Sequence, residues 1–207
     1  ASFSVDFAIG AVDGKDTTTG ATDGDETLQA AYGFQIDLNT SFTGEDSLDI
    51  SLDAGNAGAA LGELDATGGS TDTLTVDGVS YTFPLGSATA FVGDNTDGST
   101  LFTTACMYGG SNTLDDCANI QAGITGGGLS IGASYDFGNG FSTAAGAQFT
   151  ETAIATKGTD DAYALNLAYT ADSYGASITY SMVESGTANN TYTALNGYYS
   201  FDNGLNI

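Results

Sequence analysis

Leu28-Gln29-Ala30-Ala31-Tyr32-Gly33-Phe34-Gln35-Ile36-Asp37-Leu38-Asn39 alternates without a break. Successive side chains leave a strand on opposite faces, so Leu28, Ala30, Tyr32, Phe34, Ile36 and Leu38 point one way. Gln29, Ala31, Gly33, Gln35, Asp37 and Asn39 point the other way. A helix would mix these two sets around its circumference; a strand separates them into a greasy face and a hydrophilic one. The run also exceeds the roughly 9 to 11 residues that a tilted strand needs to cross a hydrocarbon layer.

The same period-two pattern recurs along the chain. Phe3, Val5, Phe7, Ile9 and Ala11 oppose Ser2, Ser4, Asp6 and Gly10. Further greasy sets are Leu48, Ile50 and Leu52; Leu129, Ile131, Ala133, Tyr135 and Phe137; and Phe141, Ala145, Ala147 and Phe149. Tyr163, Leu165, Leu167 and Tyr169 form another, as do Ala176, Ile178, Tyr180 and Met182. From Thr191 to Phe201 only Leu195, Tyr199 and Phe201 mark a face, and a ninth strand begins at Leu205. The expected fold is therefore all-β, with eight to nine antiparallel strands.

Connection lengths narrow the choice of architecture. Links 42–46, 138–140, 171–174 and 202–204 are short and rich in Gly, Asp and Asn, whereas 12–26, 54–127, 153–160 and 185–190 are longer and polar. A soluble sandwich also alternates apolar and polar residues. Strict succession of long and short links instead fits an up-and-down transmembrane β-barrel, with tight turns at one rim and longer loops at the other. Phe42, Tyr135, Phe137, Phe141, Tyr169, Tyr174, Tyr199 and Phe201 would then form an aromatic girdle at the short-turn rim. Residues 1–207 read as part of such a barrel, completed by further strands or other copies, because open strand edges in lipid are prohibitively costly.

Composition excludes whole classes of function. Two basic residues, Lys15 and Lys157, face 26 acidic ones for a net charge of −24, and the chain has no His, Arg or Trp. Nucleic acid is excluded as a partner, since phosphate binding needs cationic side chains. Ser-His-Asp catalysis, His-ligated metals and arginine clamps on phosphate are excluded as well. A carboxylate-based glycosidase has no local motif in its favour, and the chain reads as a non-enzyme. No run of about 20 apolar residues exists for a helical membrane span.

The long stretch 55–127 reads as one inserted loop domain, folding into the lumen as a constriction, capping the outer mouth, or lying on the surface without a gating role. Within it, Thr73 to Val76, the turn Asp77-Gly78 and Val79 to Phe83 read as a small hairpin closed by Pro84. Cys106 and Cys117, ten residues apart in a polar stretch, suggest one disulfide in an oxidising compartment, the alternative being two reduced thiols. Asp115 and Asp116 precede a short helical turn ending near Ala122. Asp94, Asn95 and Asp97 crowd oxygen ligands into one turn, open to Ca²⁺ but better read as an Asx turn, and Asp13, Asp16, Asp23, Asp25 and Glu26 are open to Ca²⁺ or simple solvation. No cofactor is required by this reading.

The run Phe34-Gln35-Ile36-Asp37-Leu38-Asn39-Thr40-Ser41-Phe42-Thr43-Gly44-Glu45-Asp46, continuing through Leu48 to Asn56, resembles the N-terminal barrel signature of cyanobacterial outer-membrane porins, the iron-uptake or carbohydrate-selective type. Val76 to Gly86, Phe91 to Ser99 and Cys106 to Cys117 look like the marine unicellular members. That resemblance implies homotrimers in the bacterial cell outer membrane, in contact with its lipid and passing inorganic ions and small nutrients. The family's signal peptide, S-layer-homology domain and helical linker have no counterpart in these residues, and neither do the basic residues that often punctuate its strands.

The expected pore-lining side chains are Asp6, Gln35, Asp37, Asp49, Asp53, Asp136 and Gln148. Carboxylates around a channel concentrate cations and repel anions, so passive, cation-preferring diffusion is the expected function. The rival reading is a secreted or surface-layer β-rich adhesin held together by Ca²⁺.

Overall fold

The computed structural model describes residues 1–11, 28–56, 72–105, 128–154, 156, 159–186 and 188–202. Ten strands make up the described secondary structure: β1 Ser2–Gly10, β2 Gln29–Thr40, β3 Ser47–Gly55, β4 Thr75–Leu85, β5 Ala88–Asp94, β6 Leu129–Gly138, β7 Phe141–Phe149, β8 Ala162–Thr170, β9 Tyr174–Ser185 and β10 Ala188–Tyr199. They follow one another in the sheet in chain order, so the fold is all-β, antiparallel and up-and-down. By internal contacts the chain divides into two units, Ala1–Thr40 with Leu48–Val79, and Ser41–Ser47 with Ser80–Ile207.

In the first unit the register stacks like with like. Phe3 lies opposite Ile36 and Ile36 opposite Leu52, while Val5 pairs with Phe34 and Phe7 with Tyr32. One residue along, Ser2, Asp37 and Ser51 form a row, and so do Ser4, Gln35 and Asp53. A slip of one residue would exchange the two faces wholesale, which is why the pattern fixes the register.

The second unit repeats this over more strands. Ala88, Tyr135, Thr143, Leu167, Ile178 and Leu195 form one row, and Thr89, Ser134, Ala144, Asn166, Thr179 and Ala194 form the next on the opposite face. The register also explains the weak signal from Thr191 to Phe201. Thr191, Thr193 and Gly197 sit on the greasy face beside Leu195, while Tyr192 and Tyr198 sit on the polar one.

Three details differ from the sequence reading. Asp77-Gly78 is not a turn: β4 runs through it, and both β4 and β5 belong to the sheet, so the stretch 55–127 is not one inserted loop and the strand count rises to ten. The turn is Gly86-Ser87, where Gly86 alone has positive φ (65°), as a type II′ hairpin requires. A carboxylate followed by glycine mimicked a turn, and Pro84, which stands inside β4, mimicked a strand end. Second, 185–190 is not a long link: β9 and β10 run to Ser185 and from Ala188, with Gly186 at φ 60°. Third, splitting 54–127 at Gly86-Ser87 replaces one long link by long, short and long. The cysteine pair, the Asp115 region, the acidic loop 12–27 and the start at Leu205 lie outside the described residues.

Two turns show how the chain reverses at the short-link end. Asn139 (φ 54°) and Gly140 (φ 84°) both occupy left-handed backbone, the type I′ pattern, and a bulge at Phe137 precedes them. The 41–46 turn is held by Asp46, which is 8% exposed. Its carboxylate accepts from Ser41 Oγ (2.5 Å), the Thr43 amide (2.8 Å) and hydroxyl (2.7 Å), the Phe42 amide (3.1 Å) and Tyr81 Oη (2.6 Å). Aromatic rings cluster near these turns, with Phe42 against Tyr81, Tyr135 against Phe137, Phe141 against Tyr169, Tyr169 against Tyr174 and Tyr199 against Phe201.

Donation by Ser41, then Tyr81 and Thr43, holds the Asp46 carboxyl far below the usual carboxylate range, against an opposing contribution from burial. A depressed native pKa stabilises the fold fully above the unfolded-state value and loses that contribution as pH falls below it. We therefore expect D46A to lower the thermal midpoint of the folded chain by several degrees at pH 7, and the gap to narrow as pH falls below about 4, measured by circular dichroism in detergent.

Candidate functional site

The two faces of the second unit are covered in opposite ways. Leu165, Leu167, Ile178 and Tyr180 are 62%, 50%, 44% and 49% exposed, whereas Ala164, Asn166, Thr179 and Ser181, on the other face of the same strands, are 5%, 2%, 2% and 1% exposed. A water-soluble sheet would bury the large apolar side chains and leave the small polar ones wet. Here the arrangement is reversed.

The cover on the polar face is segment 95–105. Asn166 accepts from the Thr103 amide (3.1 Å) and donates through Nδ2 to the Thr103 carbonyl (3.1 Å) and to Thr179 Oγ1 (2.9 Å). Ser177 Oγ accepts from the Ala105 amide (3.0 Å), Ser142 Oγ donates to Thr103 Oγ1 (3.2 Å), and Ser130 Oγ donates to the Thr96 carbonyl (2.5 Å). Gly146 lies beneath it: a Cβ there would collide with the Gly98 carbonyl. Phe102 packs on Ala162 and Ala164. The segment, lacking strand partners, thus has backbone groups satisfied by side chains of the sheet it crosses.

At the head of this segment the Asp94–Asp97 turn is tied internally. Asp97 Oδ1 accepts from the Ser99 amide and hydroxyl (both 2.7 Å), and Asn95 takes φ 53° while its amide donates to the Gly128 carbonyl. Asp94 shares a hydrogen bond with Glu151, whose proton affinity is raised by that bond. Among the described residues no group of three or more acidic, Cys or His side chains is arranged to hold a metal.

The polar face of the first unit carries charge. Asp37 gathers Ser2 Oγ (3.1 Å), Gln35 Nε2 (3.0 Å) and Ser51 Oγ (2.9 Å), Asp49 accepts from Asn39 (2.5 Å), and Asp53 from Thr75 Oγ1 (2.5 Å). Asp6, Gln35, Asp53 and Asp77 border a cavity of about 170 Å³. Five of the seven expected pore-lining residues, Asp6, Gln35, Asp37, Asp49 and Asp53, therefore belong to this one face. Asp136 lies in the second unit, opposite Ser142 at the turn end of β6, exposed, with Oδ1 accepting the Gly138 amide (2.7 Å). Gln148 lies in the second unit, opposite Ser130 and Ala162, with Oε1 enclosed.

Sequence reasoning missed Asp77, because it was read as a turn residue, and Asn166, which looked like one more polar position. The alternation around Asn166 placed it on the polar face; nothing in the sequence marked it as the anchor of a segment some 60 residues earlier.

No family model matches the chain, and no curated protein matches it. Solved structures do. A double mutant of Rh. blastica porin aligns with a TM-score of 0.56 at 12% identity, covering 99% of this chain and 73% of that chain. A triple mutant of Rhodopseudomonas blastica porin aligns with a TM-score of 0.54, again at 12% identity and with the same coverage. The chain shares the porin fold with these proteins; the cyanobacterial resemblance rests on its sequence motif alone.

Asn166 carries the largest share of the side-chain bonds to segment 95–105. Removing a buried partner of backbone groups costs about 1–3 kcal/mol. N166A is expected to lower unfolding stability by about 2 kcal/mol, measured by denaturant unfolding in detergent, whereas A168S beside it on β8 changes it by less than about 1 kcal/mol.

Proposed function

We propose that this chain is a porin of the bacterial outer membrane, a channel rather than an enzyme, through which inorganic ions and small solutes diffuse passively. The observation that carries this is the inverted burial of the strands, with large apolar side chains uncovered and small polar ones enclosed. Hydrocarbon stabilises the first face as water cannot, and the second face then bounds an aqueous passage. Segment 95–105, lying on that polar face, is the part of the loop after β5 that narrows the passage. The bonds from Asn166, Ser177 and Ser130 to this segment support the constriction reading for these residues.

Cation preference follows from Asp6, Asp37, Asp49, Asp53 and Asp77 on one face, with no arginine in the chain to offset them. Trimeric assembly and kinship with cyanobacterial porins are the expectations that the motif at 34–56 adds. The adhesin reading has no comparable account of the uncovered apolar face.

The test is reconstitution into planar bilayers under a salt gradient. The reversal potential should have the sign of cation permeation. One charge at about 8 Å in water is worth about 0.5 kcal/mol, about twofold in local ion concentration. The D37N/D53N double variant should therefore lower the cation-to-anion permeability ratio by roughly an order of magnitude in dilute salt, each charge raising local cations and lowering local anions about twofold, and have little effect at 1 M, where charges more than about 3 Å apart are screened. Anion preference in the unmodified chain would contradict the assignment, and release from membranes by a chelator without detergent would favour the adhesin.

A further inference from the structure

Three described side chains are completely enclosed: Ser130, Ser181 and Asp161, the last 1% exposed. Ser130 is hydrogen-bonded, but both Asp161 carboxylate oxygens are buried without a hydrogen-bond partner among the described residues. The backbone of Asp161 is engaged on both sides, its amide donating to the Thr159 carbonyl (3.1 Å) and its carbonyl accepting from the Glu184 amide (2.8 Å).

That second bond extends the β8–β9 ladder one step beyond the Ala162–Val183 pair and sets Asp161 directly opposite Glu184. Directly opposed residues of an antiparallel pair project on the same side, with Cβ atoms about 5 Å apart. Tyr163, the next residue on that side, lies within electrostatic range of both acids. Two carboxylates are thus juxtaposed, one of them fully enclosed. Like charges in direct opposition repel, and an enclosed carboxylate without donors is strongly disfavoured unless something balances it. None of the described residues is Lys or Arg.

We infer that Asp161 and Glu184 together bind a divalent cation of the Ca²⁺ class. Two carboxylates supply up to four hard oxygen ligands and two negative charges, the donor type that Ca²⁺ prefers, with water completing its shell. Asp161 is the enclosed ligand and Glu184, which is half-buried, the one through which the ion enters. The ion ties the end of the β7–β8 connection to β9. This site is separate from the Asp94–Asp97 turn and does not depend on channel activity.

The chain has eleven tyrosines and no tryptophan, so Tb³⁺ bound beside Tyr163 is excited through tyrosine alone. In the full chain, folded in detergent and stripped with EDTA, Tb³⁺ should give saturable tyrosine-sensitised emission that Ca²⁺ displaces. D161N and E184Q should each weaken Ca²⁺ binding at least tenfold by equilibrium dialysis, while D94N/D97N leaves it unchanged. Y163F should keep Ca²⁺ affinity and lose most of the emission. Should D161N fail to fold, E184Q decides the matter. Wild-type affinity in E184Q and any folded D161N, or binding that never saturates, would overturn the assignment. So would a loss of thermal stability in K157A that D161N suppresses, because an internal ion pair would then balance Asp161.

Discussion

The structure depends on one constraint: a strand whose backbone groups are paired with neighbouring strands can direct its side chains only to two sides. Every residue is thereby assigned to one of two environments, and a shift of one position exchanges them. Along β8 the consequence is plain, since Leu165 and Leu167 lie uncovered while Ala164, Asn166 and Ala168, between and beside them, are enclosed. Among the described residues no second layer of the same unit packs on the uncovered side.

The enclosed side is built to receive a polypeptide. Ala144, Gly146, Ala162, Ala164 and Ala168 are small enough for backbone to approach closely, and Gly146 leaves the space that the Gly98 carbonyl occupies. Between them stand the groups that a crossing segment needs. The Asn166 amide offers an acceptor and a donor to Thr103, as a neighbouring strand would, and Ser177 accepts from Ala105. Small residues and a few amides and hydroxyls thus replace a ladder.

Acidity divides into different tasks by location. Asp46, Asp97 and Asp136 accept backbone amides at turns, where a carboxylate stabilises a reversal. Asp37, Asp49 and Asp53 lie on a strand face and accept from hydroxyl and amide groups of the sheet. Asp161 fits neither group, being enclosed without donors among the described residues. In a chain with 26 acids and two lysines, most carboxylates must find neutral partners or counter-ions from solution.

Strand identity, register and the sense of each face were legible in the alternation of residues 28–39 and its repeats, because period two is a local property of the backbone. The separation of Asp6, Gln35, Asp37, Asp49 and Asp53 onto one face followed from the same rule. Local rules failed where two signals competed. Asp77-Gly78 and Pro84 looked like chain reversals, yet pairing within the sheet carried β4 through them, and the Gly186 turn shortened a link whose polar residues belong to β10. What only the tertiary structure decided was which face is covered and by what. The bonds from Asn166 to Thr103, and the opposition of Asp161 and Glu184, join residues far apart in the chain. Such pairings depend on how loops and strands pack, and no periodicity along the sequence encodes them.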